Sequence, residues 1–138
     1  MLVTDHFRIV ARREHPIHER EDLRLERLLE YSWVLPWASP TLSPVLRQRL
    51  EQIFLQRDLP IPIPVLETHY VSLCMTALQT DDYLGFITEL QLERSASTSL
   101  VPILLPGVGT ERRAGIVTRR GVALNPSVRT FIHELRRV

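Results

Sequence analysis

The sequence contains no lysine, a single cysteine and no long hydrophobic run. All 17 basic residues of the 138-residue chain are arginines, and 16 acidic residues leave a formal net charge of +1. The lack of lysine excludes Schiff-base catalysis and a lysine-containing phosphate loop. The near-neutral charge excludes strong sequence-independent binding of nucleic acid, because such binding needs a clear excess of basic groups.

Cys74, the only cysteine, excludes a disulfide within the chain and a cysteine metal site. It lies in an apolar helical pattern, so we expect a small buried hydrophobic residue rather than a reactive thiol. The longest apolar runs are far shorter than the ~18 residues of a membrane span. The N-terminus has no signal-peptide pattern. We therefore expect a soluble cytoplasmic protein with no membrane partner.

Strand and helix patterns alternate along the chain, which predicts an α/β fold with a largely parallel central sheet. Ser43 before Pro44, and Asn125 before Pro126, are typical helix starts. The predicted strands are 7–12, 33–35, 83–87, 100–105 and 114–119, with a proline-rich extended segment at 60–66. The predicted helices are 22–31, one from Pro44, 68–79, 88–98 and one from Pro126.

Three local features carry specific expectations. Prolines at 60, 62 and 64 remove the backbone donors from one edge of an extended segment, so that segment should pair through one edge only. Gly85, inside a predicted strand, suggests close approach of a bulky neighbour or of another backbone. The segment 106–109, Pro-Gly-Val-Gly, reads as a hairpin-type turn between two strands.

Several hydroxyl and imidazole side chains stand where a helix follows a strand. In a parallel sheet these positions meet at the carboxyl edge, where ligands commonly bind. The residues could line a ligand cleft or simply cap their helices, and the sequence leaves both open. They are Thr41, Ser43, Thr68, His69 and Thr88.

Other chemical motifs are weak. His15 and His18 have the wrong spacing for a zinc motif and lack a supporting ligand cluster. Asp81 and Asp82 are adjacent, and adjacent side chains point apart, which favours a solvated pair at a helix end. We expect no metal ion and no cofactor.

The order of motifs resembles the C-terminal effector-binding region of LysR-type transcriptional regulators. No single motif is specific, but the series runs in order over about residues 2–137. The matching segments are Phe7–Arg12 with His15-Pro16-Ile17, Trp33–Pro36 with Ser39–Leu42, Leu59–Pro62, Val65–Thr68, Asp82–Thr88, and Gly115–Arg119 before Asn125-Pro126.

This resemblance implies a type 2 periplasmic-binding-protein-like fold, in which two α/β lobes enclose a small-molecule effector. Residues 1–14 would form a crossing strand from the first lobe, 15–99 one complete Rossmann-like second lobe, and 100–138 the returning C-terminal part of the first lobe. The winged helix-turn-helix domain that binds DNA would then be absent, so the chain looks like a fragment. The implied effector-binding residues are Ser39, Pro40, Thr41, Thr68, His69, Phe86, Ile87 and Thr88.

The resemblance further implies a non-enzymatic sensor that forms a homodimer or higher oligomer, with a carboxylate as one candidate effector. Only Gly85 remains of the two glycines that the family commonly has in the stretch matching residues 82–88, so the cleft wall there is expected to differ. The alternative is a small-molecule binding protein or a small α/β enzyme that uses Thr68 and His69 with Asp81 or Asp82. In the final helix, Val128, Phe131, Ile132 and Leu135 form an apolar stripe that we expect to lack partners within this chain.

Overall fold

The computed structural model describes residues 2–36, 44–94 and 99–137. Its helices are α1 (Pro44–Leu55), α2 (Val71–Thr80), α3 (Glu89–Arg94) and α4 (Pro126–Leu135), with short 3₁₀ helices at Pro16–Glu19 and Leu25–Glu30. Its strands are β1 (Val3–Arg12), β2 (Ser32–Pro36), β3 (Pro64–Thr68), β4 (Tyr83–Thr88), β5 (Leu100–Pro102) and β6 (Thr110–Ala114). In these ranges no helix is both long enough and apolar enough to cross a membrane.

The six strands form one mixed sheet in the order β3-β2-β4-β1-β5, with β6 also paired to β1. Strands β2, β3 and β4 are parallel to one another. Strand β1 is antiparallel to β4, β5 and β6. The predicted α/β class is confirmed, and its parallel part is the group of three strands that ends at Pro36, Thr68 and Thr88.

Apolar side chains cover both faces of the sheet. One face carries Trp33, Phe54 and Phe86 with the aliphatic residues around them. The indole Nε1 of Trp33 donates a hydrogen bond to the Leu28 carbonyl at 3.0 Å, so its polar atom is satisfied inside the core. The other face packs against α2 through a second cluster, consisting of Val10, Val34, Cys74, Leu78, Ile87 and Leu100.

Cys74 behaves as the sequence predicts. Its side chain is fully buried in α2. Burial raises the pKa of the thiol to about 11, because the charged thiolate is poorly solvated there. The thiol is therefore protonated at neutral pH and acts as a packing group.

Leu78 of α2 packs directly over Gly85 of β4. A Cβ atom placed there would lie 2.5 Å from Cδ1 of Leu78, well inside van der Waals contact. The predicted bulky neighbour is therefore confirmed as Leu78. The proline-rich segment leads into β3, which is an edge strand paired with β2 only among the described strands.

Two predicted helices are wrong in type or start. The segment predicted as a helix over 22–31 is a 3₁₀ helix over Leu25–Glu30, whose buried Leu25 and Leu28 share one side at the i, i+3 spacing. Helix α2 begins at Val71 rather than at Thr68. Thr68 is still in β3, and its Oγ1 accepts a hydrogen bond from the Tyr70 N–H at 3.1 Å, which holds a turn before the helix.

The last predicted strand and turn also need correction. The strand lies at Thr110–Ala114 and not at 114–119. It pairs with the first half of β1, which begins at Val3, four residues before the predicted start. The segment 106–109 is not a hairpin, because β5 and β6 both run antiparallel to β1 and so in the same direction. It is a turn that loops out between them, with Gly107 at φ 71° and a Val108 N–H bond to the Leu105 carbonyl.

The starts of helices α1 and α4 are predicted correctly. Helix α1 begins at Pro44 as expected, while the predicted cap Ser43 lies outside the described residues. Helix α4 begins at Pro126, and the Asn125 side chain accepts a hydrogen bond from the Ser127 N–H at 2.9 Å. Both starts follow from proline at a position where no helical N–H bond is needed.

Candidate functional site

An open cleft of about 770 Å³ lies at the carboxyl edge of the parallel strands. Because β2 and β3 are parallel with Pro36 opposite Thr68, the chain leaves both strands at the same edge. Strand β4 runs in the same direction and ends there at Thr88. The geometry therefore brings the strand-to-helix junctions together, as the sequence predicts for a parallel sheet.

The cleft has walls from both parts of the mixed sheet. One wall consists of the carboxyl edge and the helix starts that follow it. The opposite wall comes from the first half of β1 and from β6. The lining residues are Pro36, Val45, Leu46, His69, Val71, Thr88, Leu90, Gln91 and Arg94 on the first wall, and Val3, Phe7, Arg112, Arg113 and Ala114 on the second.

Thr88 and Gln91 form a reciprocal capping arrangement at the start of α3. The Gln91 N–H donates to Oγ1 of Thr88 at 3.3 Å, and the Thr88 N–H donates to the Gln91 side-chain oxygen at 3.3 Å. This capping box satisfies two backbone donors that would otherwise lack partners. Thr88 is buried, so the arrangement fixes the shape of this wall.

The cleft lining is basic. Among the described residues it includes three arginines and no carboxylate side chain. Arg113 pairs with Glu111, and Arg112 pairs with the buried Asp5 at 3.2 Å. Arg94 is exposed at the end of α3 and has no hydrogen-bond or ion-pair partner in the described part of the chain. Such a lining attracts anions, because guanidinium groups are charged at every physiological pH.

The structure brings two of the predicted site residues to the cleft. His69 and Thr88 line it. Thr68 is not among the lining residues, and its Oγ1 accepts the bond from the Tyr70 N–H described above. Phe86 and Ile87 are each 1% exposed and pack in opposite faces of the core, so they support the sheet below the cleft. Ser39, Pro40 and Thr41 lie outside the described residues.

The groups of the enzyme alternative lie at opposite ends of α2. His69 stands before the helix start, whereas Asp81 and Asp82 follow its end. A ten-residue helix is about 15 Å long, far beyond the hydrogen-bond distance that a general base requires. Asp82 accepts a 2.7 Å hydrogen bond from the Arg12 guanidinium. The predicted constellation is therefore not assembled.

Sequence reasoning missed Asp5, Gln91 and Arg112. The pattern Thr88-x-x-Gln91 at the start of a predicted helix is a capping-box signature that could have been recognised. Asp5 and Arg112 carry no such signal. They fall in the parts of β1 and β6 that the strand predictions omitted, and they face each other across paired strands at Asp5↔Arg112.

A mixed sheet with three parallel strands, an antiparallel strand β1 beside them and a cleft at the carboxyl edge defines an α/β domain of the type 2 periplasmic-binding-protein kind. The chain belongs to the LysR substrate-binding domain family. The family model described as "LysR substrate binding domain" matches residues 1–138. The resemblance inferred from the sequence motifs is thereby confirmed.

A curated relative is the HTH-type transcriptional regulator GalR of Pseudomonas putida. It is 30% identical over 140 residues, which cover 99% of this chain and 34% of GalR. The chain thus spans about a third of that relative's length.

Solved structures share the fold at low sequence identity. The CcmR regulatory domain of Synechocystis PCC6803 in complex with 2-PG has a TM-score of 0.74 at 14% identity, over 99% of this chain and 64% of that one. The effector binding domain of QuiR in complex with shikimate gives 0.68 at 13%, over 99% and 62%. The BenM effector binding domain with its effector benzoate gives 0.61 at 17%, over 99% and 60%.

Proposed function

We propose that this chain senses a small-molecule effector for a LysR-type transcriptional regulator and performs no chemistry on it. The observation that carries the proposal is the cleft of about 770 Å³ at the carboxyl edge, with polar groups from several elements converging on an otherwise apolar lining. Its volume lies within the range of about 300–1,000 Å³ that is usual for small-molecule sites. Family membership supports the same function.

The effector that this cleft favours is an anion, with a carboxylate as the first candidate. The part of the lining that the structure describes holds three arginines and no acidic side chain. Arginine binds carboxylates through two parallel N–H bonds, which gives both affinity and orientation. The proposed binding residues are His69 and Thr88 on one wall and the arginines at 94 and 112, with Ser39, Pro40 and Thr41, which lie outside the described residues, expected to join them.

We propose that residues 15–99 form the second lobe, that residues 1–14 cross from the first lobe, and that residues 100–138 belong to the first lobe. The pairing of β1 supports this division. Residues 7–10 of β1 pair with β4 of the proposed second lobe, and residues 3–7 pair with β6. A single strand thus connects both walls of the cleft, which would couple their separation to effector occupancy.

The remaining partners follow from the family. In the whole regulator, DNA binding would come from a winged helix-turn-helix domain elsewhere, and the protein would act in the cytoplasm as a homodimer or higher oligomer. The exposed apolar stripe of α4 supports a further packing partner, since no residue of that helix is buried within the described chain. The separation of His69 from Asp81 and Asp82 supports the absence of catalysis.

Ligand-observed NMR on the 138-residue chain tests the proposal. The probes are benzoate and shikimate with their neutral counterparts benzamide and methyl shikimate. We expect at least one probe to bind and to be recovered unchanged. His69→Ala or Arg94→Gln should weaken binding about tenfold, the loss of one hydrogen bond to a charged group. The matched controls on α4, His133→Ala and Arg137→Gln, should stay within about twofold.

Three outcomes would contradict the proposal. No probe of either charge binds, the control variants weaken binding as much as the cleft variants, or the bound probe is converted to a product. The first would remove the sensing function, the second would move the site away from the cleft, and the third would support the enzyme alternative.

A further inference from the structure

Asp5 is a buried carboxylate beneath the floor of the cleft. Its side chain is 1% exposed. A charged carboxylate is costly to bury unless its oxygens accept hydrogen bonds, preferably from a cation. Oδ1 accepts bonds from the backbone N–H of His6 at 2.8 Å and of Leu90 at 3.2 Å. Oδ2 accepts a bond from Nη2 of Arg112 at 3.2 Å. One side chain thus ties together β1, α3 and β6.

Arg112 is held on two sides yet still faces the cleft. Its Cζ lies 5.8 Å from the centroid of the Phe7 ring, which in turn stacks on Phe86 at 5.3 Å. Its side chain remains 42% exposed and lines the cleft. A guanidinium group has five N–H donors. In the described part of the chain, Asp5 takes a hydrogen bond from Nη2 alone, so donors remain for a ligand.

We infer that Asp5 is a positioning residue that presents Arg112 as the anion receptor of the cleft, an inference that rests on the proposed sensing function. A long arginine side chain normally loses rotamer freedom when it binds a ligand, and this loss weakens binding. The carboxylate of Asp5 and the ring of Phe7 restrict the guanidinium before the ligand arrives. The ligand class is a small carboxylate, which the planar guanidinium fork matches in shape.

The same contacts connect ligand binding to strands β1 and β6. Asp5 bonds the backbone at Leu90, in the first turn of α3, on the opposite side of β1 from β6. A ligand carboxylate that binds the Arg112 guanidinium therefore acts on a side chain that Asp5 connects to both walls of the cleft. A structural ion pair without this role would affect folding stability but would not distinguish a charged ligand from its neutral counterpart.

Binding measurements on variants of the full 138-residue chain separate these roles. The probes are benzoate, shikimate and inorganic phosphate, with benzamide as the neutral match of benzoate. Wild type should bind at least one anion, and benzoate about tenfold more tightly than benzamide. Asp5→Asn should reduce anion affinity about tenfold and leave benzamide within about twofold. Arg112→Lys keeps the positive charge but loses the planar guanidinium, so it should also bind anions more weakly than wild type.

A double-mutant cycle tests whether the two residues act as one unit. Asp5→Asn combined with Arg112→Gln should bind anions no more weakly than Arg112→Gln alone. The arginine side-chain NMR signal that disappears in Arg112→Gln should shift when the anion is added to wild type. Circular dichroism confirms that each variant is folded. The matched remote pair, Asp22→Asn and Arg20→Gln, controls for loss of an ion pair far from the cleft.

The inference is overturned if no anion binds, if benzoate and benzamide bind equally, if Asp5→Asn leaves anion affinity unchanged, or if the two variants lower affinity independently. A neutral probe that binds in the cleft while anions do not would overturn the inference alone and leave the sensing proposal intact. Absence of binding by every charged and neutral probe would remove both.

Discussion

Helices α2 and α4 have the same length but differ in how much of their surface is buried. Helix α2 buries Cys74 and Leu78 completely against the sheet. Helix α4 has a clear apolar stripe, yet it buries no residue, and Val128 and Phe131 are 43% and 63% exposed. Periodicity therefore specifies a helix and the direction of its apolar face. Burial also requires a complementary surface within reach, and the sheet supplies one for α2 through Val10, Val34 and Ile87.

The ion pairs show a second contrast, between an exposed network and a pair that contains a buried carboxylate. Around the 3₁₀ helix at Leu25–Glu30, arginines and carboxylates form an exposed network in which Arg27 lowers the pKa of Glu30 and Arg20 lowers the pKa of Asp22. At the cleft, Arg112 pairs with a buried carboxylate. Exposed pairs contribute little to stability because water and salt screen them. The pair of Arg112 with the buried Asp5 is the one expected to matter for function.

Replacing Trp33 should change the free energy of unfolding more than any other substitution proposed here. It tests how much the buried core contributes to stability, in contrast to the exposed helix α4. Trp33 is 1% exposed and stacks edge to face on Phe54 at 5.9 Å. Trp33→Ala leaves a large cavity and should lower the free energy of unfolding by about 3–5 kcal/mol. Urea denaturation followed by circular dichroism measures it. A loss below about 1 kcal/mol would mean that this core does not dominate stability.

Gly85→Ala tests how tightly α2 is packed on β4. The new methyl group would meet Cδ1 of Leu78 at 2.5 Å, so the helix or the side chain must shift. We expect a loss of about 1–3 kcal/mol in the free energy of unfolding. Adding Leu78→Val should recover part of it, because the shorter side chain opens space. Additive losses in the double variant would contradict this packing.

His15 gives a pH dependence within the buried region. It is 1% exposed, and its Nδ1 accepts a bond from the Ile17 N–H at 3.0 Å. Burial lowers the pKa of the ring and outweighs the opposing influence of Asp82. The folded chain therefore prefers neutral His15. Its stabilising contribution is complete above the unfolded pKa of about 6.5 and is lost as the pH falls through the folded value.

Denaturation of wild type and His15→Phe between pH 7.5 and pH 5 measures this contribution. Stability of wild type should fall more steeply toward low pH, by at most about 1.4 kcal/mol per pH unit for one proton. His18→Phe is the control, because it removes a neighbouring imidazole that is exposed in the fold. Parallel curves for wild type and His15→Phe would show that His15 is not the group responsible.

The smallest effect is expected on α4. Phe131→Ser removes a mostly exposed ring, so the free energy of unfolding should change by less than about 0.5 kcal/mol. The same denaturation experiment measures it. A loss above about 1 kcal/mol would show that α4 packs on the rest of the chain in solution, and the contrast with α2 would no longer hold.

Local signals in the sequence were sufficient for some elements. Pro44 and Pro126 mark helix starts because proline fits the first helical turn and removes no needed bond. Gly85 marked a tight contact between a helix and the sheet. The start of α2 was predicted too early. Thr68 and His69 fit a helix start by residue type, but Thr68 pairs with Pro36 of β2 and therefore belongs to a strand.

Long-range pairing explains what the sequence analysis did not predict. The first residues of β1 and all of β6 are strands because they pair with each other, and neither has a strong alternating pattern alone. Asp5 and Arg112 meet only as a result of this register. Phe86 and Ile87, expected near the effector, are buried because β4 is central and covered on both faces.

The alternation of strand and helix patterns predicted the class of domain, and the order of the motifs over about residues 2–137 predicted its family, because both can be read along the chain without coordinates. The sequence also determined which side of α4 is apolar. Only the tertiary structure decided that α4 stays uncovered while α2 is buried, and that Asp5 anchors Arg112 at the cleft. Both depend on which distant segments meet, and pairing across the sheet sets those meetings.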